Sequence, residues 1–157
     1  MNTFVVYDSQ FGNTERIANI IANTLIEFGQ VRAVRVNQIH AVEVQGVDLL
    51  VVGCPTQGWR PTPAMQSLLE HLPAGSLNGL AVACFDTRFQ RSRWITGSAA
   101  RSIARQLREK SASLLLPPES FFVKGTNGPL VEGEAERAAA WAQELGEKAG
   151  ARQLVTR

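Results

Sequence analysis

Hydroxyl and amide groups cluster in one short loop near the N-terminus. The loop Ser9-Gln10-Phe11-Gly12-Asn13-Thr14 lies between an apolar segment and a stretch with helical spacing. Its hydroxyls, its central glycine and the first amides of the helix form a cradle for one phosphate, which the helix dipole favours. The alternative is a turn in which Ser9 and Thr14 only cap the helix. The chain has neither GxxxxGK[ST] nor GxGxxG, which argues against a nucleoside triphosphate with Mg²⁺ and weakens a dinucleotide interpretation.

A second loop combines a glycine with a large aromatic ring in the order Gly53-Cys54-Pro55-Thr56-Gln57-Gly58-Trp59. Gly58 can adopt backbone conformations that other residues rarely adopt. Trp59 is expected at an exposed position, where its face offers an apolar surface to a flat ring. The alternative is that Trp59 packs beneath the loop.

A third loop, from Asp86 to Trp94, is rich in arginine, and between residues 86 and 110 basic residues outnumber acidic ones by seven to two. Its arginines are Arg88, Arg91 and Arg93, and three more share one face of the following helix: Arg101, Arg105 and Arg108. Such a surface is either solvated or a docking surface for an acidic redox partner or an anionic substrate. The pI of 8.8 lies below the value of about 9 that points to nucleic acid, so we expect no nucleic-acid partner.

Two residues at the end of the fourth predicted strand have more than one interpretation. Thr87 is placed to bond a ligand. Asp86 either does the same or pairs with a loop arginine and stiffens the turn.

Alternating strand and helix patterns along the chain position these loops. Apolar or β-branched runs predict strands over 3–7, 31–36, 47–53 and 80–85, with a final strand split by Pro117-Pro118 into 114–116 and 121–124. Helical spacing predicts helices over 13–28, from Pro63 to about 72, from 97 to about 109, and over 132–149. Five strands alternating with helices favour a doubly wound parallel α/β sheet, in which ligands bind beyond the carboxyl ends of the strands.

The residues of the first two loops resemble those of the flavodoxin family. Residues 5–18 are similar to its N-terminal signature, which has an apolar strand, an aromatic residue, Ser/Thr-x-x-Gly-x-Thr and an alanine-bearing helix. Residues 53–59 are similar to its second flavin-binding loop. The resemblance implies a single flavodoxin-like domain over 1–157, a five-stranded parallel sheet in the order 2-1-3-4-5, and one noncovalently bound FMN.

The same resemblance implies roles for individual residues. The first loop would bind the FMN phosphate, Trp59 would stack on the flavin ring, and the carbonyl of Gly58 would accept a hydrogen bond from flavin N5–H after one-electron reduction. The third loop departs from the family pattern of an acidic segment with a tyrosine, and Phe89 and Trp94 are its candidate stacking residues. The expected cofactor site comprises Ser9, Gln10, Phe11, Gly12, Asn13, Thr14, Pro55, Thr56, Gln57, Gly58, Trp59, Asp86, Thr87, Arg88 and Phe89.

The expected function is electron transfer by an FMN-binding flavodoxin-like protein. Arginines beside the ring would stabilise an anionic reduced flavin, so we expect a reduction potential less negative than that of an acidic flavodoxin. The expected partner is a redox protein or a small quinone-like acceptor that docks on Arg88, Arg91, Arg93, Arg101 and Arg105. Two alternatives remain open: a flavin-dependent quinone or protoporphyrinogen-type oxidoreductase, and an interaction module that has lost the flavin.

Composition narrows the function classes further. The chain has 157 residues and a net charge of +2, without the run of about 20 apolar residues that a membrane helix needs. We expect no signal peptide, and two cysteines are too few for a secreted disulfide scaffold, so a reducing, cytoplasmic location is expected. His40 and His71 are isolated, which indicates no metal site, and no nucleophile has an evident base, which indicates no catalytic side chain.

Overall fold

The computed structural model describes residues 1–156, in which parallel strands alternate with helices. The strands are β1 (Asn2–Tyr7), β2 (Gln30–Arg35), β3 (Leu49–Pro55), β4 (Ala81–Phe89), β5 (Ser113–Leu114) and β6 (Glu119–Val123). The helices are α1 (Asn13–Leu25), α2 (Pro63–His71), α3 (Arg93–Thr96), α4 (Ala99–Glu109) and α5 (Glu134–Val155). The hydroxyls of Thr62 and Ser98 cap α2 and α4 by accepting hydrogen bonds from the third amide of each helix.

The strand order confirms the predicted sheet. The order is β2-β1-β3-β4-β5, every pair is parallel, and β6 also pairs with β4. Thus β5 pairs with the start of β4 and β6 with its end, and Pro117-Pro118 lies between them. Because proline lacks the N–H that a ladder needs, the final strand is interrupted there, as predicted.

Two apolar layers cover the faces of the sheet. On one face α1 and α5 bury Ile17, Leu25, Trp141 and Leu145, and on the other α2 and α4 bury Met65, Leu69, Ile103 and Leu107. Phe85, Phe121 and Trp141 meet edge to face with ring centroids 6.1–6.3 Å apart, a favoured geometry for aromatic pairs. These contacts fix the ends of β4 and β6, from which two of the site loops emerge.

Several element boundaries differ from the expectation. The fourth strand continues four residues beyond the predicted end at Phe85, because Asp86 to Phe89 pair with β6. The first helix ends at Leu25, and residues 26–28 form a 3₁₀ turn. The last helix begins at Glu134 and runs to Val155, further than the predicted end at residue 149.

Cys54 and Cys84 are buried free thiols. Burial raises the pKa of the Cys54 thiol to about 12 and raises the pKa of Cys84 further, so both remain protonated. Within residues 1–156 no helix combines the length and apolar character that crossing a membrane requires. The same residues contain no group of three or more His, Cys, Asp or Glu side chains placed to hold a metal.

Candidate functional site

A cavity of about 860 Å³ lies at the carboxyl ends of β1, β3, β4 and β6. This volume is in the range of small-molecule and cofactor sites, and the position is where open parallel sheets bind ligands. Four loops line it: 9–14, 55–59, 87–96 and 123–131. All of the residues expected in the site line the cavity except Gly12 and Asp86.

The first loop is built to hold an anion. The Ser9 hydroxyl oxygen accepts hydrogen bonds from the amides of Gly12 (3.1 Å) and Glu15 (3.2 Å), which closes the loop, and Gly12 has a left-handed φ of 90°. Within residues 1–156 the remaining amides at this end of α1 have no hydrogen-bond partner; they belong to Gln10, Phe11, Asn13 and Thr14. Converging free N–H donors at the positive end of a helix fit a phosphate group.

Polar contacts with neighbouring elements hold this loop in place. The Asp8 carboxylate accepts hydrogen bonds from the Ser9 amide (2.9 Å) and from the Thr62 hydroxyl (2.5 Å). Arg35 donates to the Ser9 carbonyl (2.7 Å). The hydroxyls of Thr14 and Thr87 lie 2.7 Å apart, which ties α1 to β4.

The second loop is a tight turn that presents Trp59. Gln57 and Arg60 exchange two backbone hydrogen bonds of 2.9 Å, with Gly58 (φ 51°) and Trp59 (φ 75°) between them. A non-glycine residue in the left-handed region costs about 1–2 kcal/mol, and such strain concentrates at functional sites. Trp59 is 56% exposed, so it does not pack beneath the loop.

Gly97 allows the close approach that supports Trp59. The two residues form a parallel backbone bridge, and a Cβ on Gly97 would lie 2.6 Å from the Cα of Trp59. Gly97 also has a φ of 69°, a conformation that favours glycine. The position of the second loop therefore depends on the start of α4.

The third loop presents Phe89 to the cavity. Phe89 is 41% exposed and lines the cavity with Gln90 and Ile95, whereas Trp94 is 75% exposed and does not line it. Of the two aromatic residues expected beside the ring, the structure places only Phe89 against the cavity.

Asp86 and Arg88 lie deeper than the sequence suggests. Asp86 has no exposed surface and makes no contribution to the cavity wall. Arg88 lines the cavity but is only 9% exposed, so the expectation that it joins an exposed docking surface is wrong. Burial lowers the pKa of Arg88, and the nearby Asp86 opposes that shift.

Sequence reasoning missed the fourth loop, residues 123–131. Lys124, Thr126 and Val131 line the cavity there. A Cβ on Gly128 would lie 2.5 Å from the side chain of Asn13, so this loop packs closely on the first one. The signal that was available is the rule that ligands lie beyond strand ends, applied to the strand at 121–124.

Glu134 anchors the end of this fourth loop. Its carboxylate accepts from the Phe122 amide (2.7 Å) and pairs with Arg137 (2.7 Å). Burial alone raises the pKa of Glu134, but the hydrogen bonds from Arg137 and Phe122 outweigh it and hold the pKa below its usual value.

Comparison with known proteins links this geometry to one family. A family model described as Flavodoxin matches residues 5–141 of the chain. A flavodoxin of Clostridium beijerinckii is 38% identical over 55 residues, which are 34% of this chain and 40% of that protein. "Probable flavodoxin 1" of Bacillus subtilis (strain 168) is 35% identical over 83 residues, or 52% of each protein. The chain thus aligns with about half or less of these curated relatives.

Solved structures share the fold at low sequence identity. Oxidised Flavodoxin 2 from Bacillus cereus has a TM-score of 0.82 at 23% identity, with 94% of this chain and 99% of that one covered. A flavodoxin from the domain Archaea has a TM-score of 0.79 at 20% identity, with 95% and 99% covered. The rubredoxin oxygen:oxidoreductase from Desulfovibrio gigas has a TM-score of 0.78 at 18% identity and covers 97% of this chain, which matches 37% of that one.

Proposed function

Because this chain belongs to the flavodoxin family, whose cofactor is FMN, we propose that it is a single-domain carrier that passes one or two electrons between redox partners. One observation supports the proposal above others: free backbone amides and exposed aromatic side chains line one and the same cavity. FMN supplies the one- and two-electron chemistry when bound, and the protein supplies binding, orientation and electrostatics.

The first loop holds the phosphate in this proposal. Ser9 and Thr14 provide hydroxyls, Gln10, Phe11 and Asn13 provide amides, and Gly12 supplies the left-handed turn that brings them together. Residues 9–14 include no cationic side chain. In this proposal the negative charge of the phosphate is therefore stabilised by neutral N–H and O–H donors and by the helix dipole.

The second and third loops hold the ring. Trp59 and Phe89 offer it apolar faces, Pro55, Thr56 and Gln57 complete the wall beneath it, and Thr87 fixes the first loop through Thr14. The carbonyl of Gly58 would accept a hydrogen bond from N5–H of the reduced flavin. This turn supports that role, because rotating the peptide between Gly58 and Trp59 would relieve the positive φ of Trp59.

The surface around the cavity favours a negatively charged partner. Arg91, Arg93, Arg101 and Arg105 are exposed, and the exposed Trp94 and Ile95 lie among them in the chain. We propose that an acidic redox protein in the cytoplasm docks there, with a small quinone-like acceptor as the alternative partner. Nothing in the comparisons supports a stand-alone oxidoreductase or a module without flavin.

A titration of the apoprotein with FMN, followed by quenching of flavin fluorescence, tests the site. Riboflavin, which lacks the phosphate, is the matched ligand. Replacing Ser9 by alanine opens the loop at its closing hydrogen bonds, so S9A should lose affinity for FMN but not for riboflavin. If wild-type protein binds FMN and riboflavin equally, the proposed phosphate cradle is refuted, and if it binds neither, the carrier function is refuted.

A further inference from the structure

A buried pair of opposite charges lies at the end of β4. Asp86 and Arg88 are two residues apart on a strand, so their side chains share the face that packs against α4. Their charged atoms, Asp86 Oδ1 and Arg88 Nε, are 4.0 Å apart, with side-chain exposures of 0% and 8%. Asp86 Oδ1 is buried and has no hydrogen-bond partner within residues 1–156, so Arg88 is its nearby compensation.

The other oxygen of Asp86 joins the second loop to α4. Asp86 Oδ2 accepts from the hydroxyls of Thr56 (3.2 Å) and Ser98 (2.6 Å) and from the amide of Ala100 (3.0 Å). Thr56 in turn accepts from the amide of Ala99 (2.9 Å). One carboxylate thus connects the loop that bears Trp59 with the helix start beside Gly97.

Arg88 holds the third loop from beneath. Its Nη1 donates to the carbonyl of Arg91 (2.7 Å) and to the hydroxyl of Thr96 (3.2 Å), and its Nε donates to Ser120 on β6 (2.9 Å). Because these hydrogen bonds join β4 to residues 91 and 96, they favour the observed conformation of the loop.

We propose that Asp86 and Arg88 are one positioning pair that fixes both loops flanking the flavin, and that their opposite charges set the reduction potential of the bound cofactor. This inference rests on the proposed function. Reduction adds negative charge to the cofactor, and Arg88 stabilises that charge from the cavity wall. Asp86 offsets the effect of Arg88, so the arginine raises the potential less than an unpaired one would.

Three variants test the effect of the two charges on the reduction potential: Asp86→Asn, Arg88→Gln and the double variant. The potential of each is measured by redox titration of the FMN-loaded protein. D86N removes the negative charge, and its amide oxygen can keep the hydrogen bonds that Asp86 Oδ2 accepts. We expect D86N to raise the two-electron potential, R88Q to lower it, and the double variant to return close to wild type. The expected size is about tenfold in the ratio of the dissociation constants of oxidised and reduced FMN, or about 30 mV.

Matched controls remove the same charges elsewhere. The controls are Asp48→Asn and Arg108→Gln. Asp48 directly precedes β3, at the end of the strands opposite the cavity, and Arg108 lies on the exposed face of α4. Both should leave the ratio of the two dissociation constants, and so the potential, unchanged. A D86N potential that fails to rise would overturn the inference even if R88Q does not fold. A shift of D86N and R88Q in the same direction would also overturn it.

Hydrogen exchange of the apoprotein tests, without the cofactor, whether Arg88 fixes the third loop. Arg88→Lys keeps the charge but cannot reach Ser120 and the loop carbonyls together. Residues 89–97 should exchange faster in R88K than in wild type, while its potential shifts less than that of R88Q. Unchanged exchange in this segment would overturn the positioning role. Wild-type protein that binds no FMN would refute the proposed function together with the effect of the two charges on the potential, whereas a wrong sign pattern in loaded protein refutes the inference alone.

Discussion

Replacing Trp59 by alanine removes the main apolar surface proposed to receive the flavin ring. Trp59 exposes 56% of its surface, so of the up to about 250 Å² that a tryptophan can bury, about 140 Å² is open. A ring stacked on one face covers about half of that area, which contributes about 1.8 kcal/mol at about 25 cal/mol/Å². Aromatic stacking adds about 0.5–1.5 kcal/mol. We therefore expect W59A to weaken FMN binding by about 2–3 kcal/mol, or about 30–150-fold.

The assay is a fluorescence titration of FMN into wild-type, W59A and W59F apoproteins under one set of conditions. W59F keeps an aromatic face and should retain most of the affinity. Riboflavin affinity should fall by a similar factor in W59A, because the missing contact is to the ring and not to the phosphate. A W59A dissociation constant within about threefold of wild type would refute the stacking role, because that corresponds to less than about 0.7 kcal/mol.

The same residue gives a second, independent measurement. Alanine at this position retains the left-handed φ of 75°, whereas glycine adopts it without strain. In urea unfolding of the apoproteins, the free energy of unfolding of W59G should therefore exceed that of W59A by about 0.5–1 kcal/mol. This holds although glycine has more freedom in the unfolded chain, which by itself would make W59G less stable. A clearly less stable W59G would show that the turn does not hold this conformation in solution.

Gly97, Glu134 and the exposed arginines each contribute to the site in a way that can be measured. Gly97→Ala places a Cβ 2.6 Å from the Cα of Trp59, so it should weaken FMN binding at least tenfold in the fluorescence titration, whereas Gly150→Ala, in α5 with open space around it, should not. Glu134 has a lowered pKa in the folded state, so its stabilising effect is complete above its unfolded pKa and is lost as the pH falls through the folded pKa. Glu134→Gln should thus cost about 1–3 kcal/mol in urea unfolding at pH 7, and the difference from wild type should shrink towards pH 3. Oxidation of the reduced protein by trianionic ferricyanide should slow as ionic strength rises, oxidation by tricationic hexaammineruthenium(III) should not, and a double Arg91→Gln/Arg93→Gln variant should lose most of this contrast.

Local patterns made much of this fold and site predictable. The first loop lies next to its own strand and helix, so Ser9, Gly12 and Thr14 could be assigned from neighbouring residues alone. The parallel order and the interruption at Pro117-Pro118 follow from apolar runs and from the missing proline N–H. The burial of Arg88 is not predictable in this way. Charged residues are uncommon in strands, so the sequence pattern predicts that the fourth strand ends at Phe85. Its true length places Asp86 and Arg88 on one buried face, which only the pairing with β6 reveals.

The part of the cavity wall formed by the fourth loop is difficult to predict for a related reason. The final strand is divided, so its carboxyl end is less evident in the sequence than those of the longer strands. The contact between Asn13 and Gly128 also joins residues far apart in the chain. No local pattern reports such a contact. Nor does the sequence show which aromatic residue of the third loop faces the cavity: Phe89 lines it and Trp94 does not, a difference set by the course of the loop between them.

The close packing of the fourth loop on the first has a consequence for how the protein is made. The phosphate cradle and Trp59 belong to the first half of the chain, but the cavity that they share is closed by residues 123–131, which leave the ribosome much later. A nascent chain that ends before β6 has the donors for the phosphate without the wall beside them, and without β6 the end of β4 has no strand at its outer edge. We therefore expect tight FMN binding to be one of the last events in biosynthesis. A protein molecule that holds FMN is then one in which the fourth loop has already packed against the first.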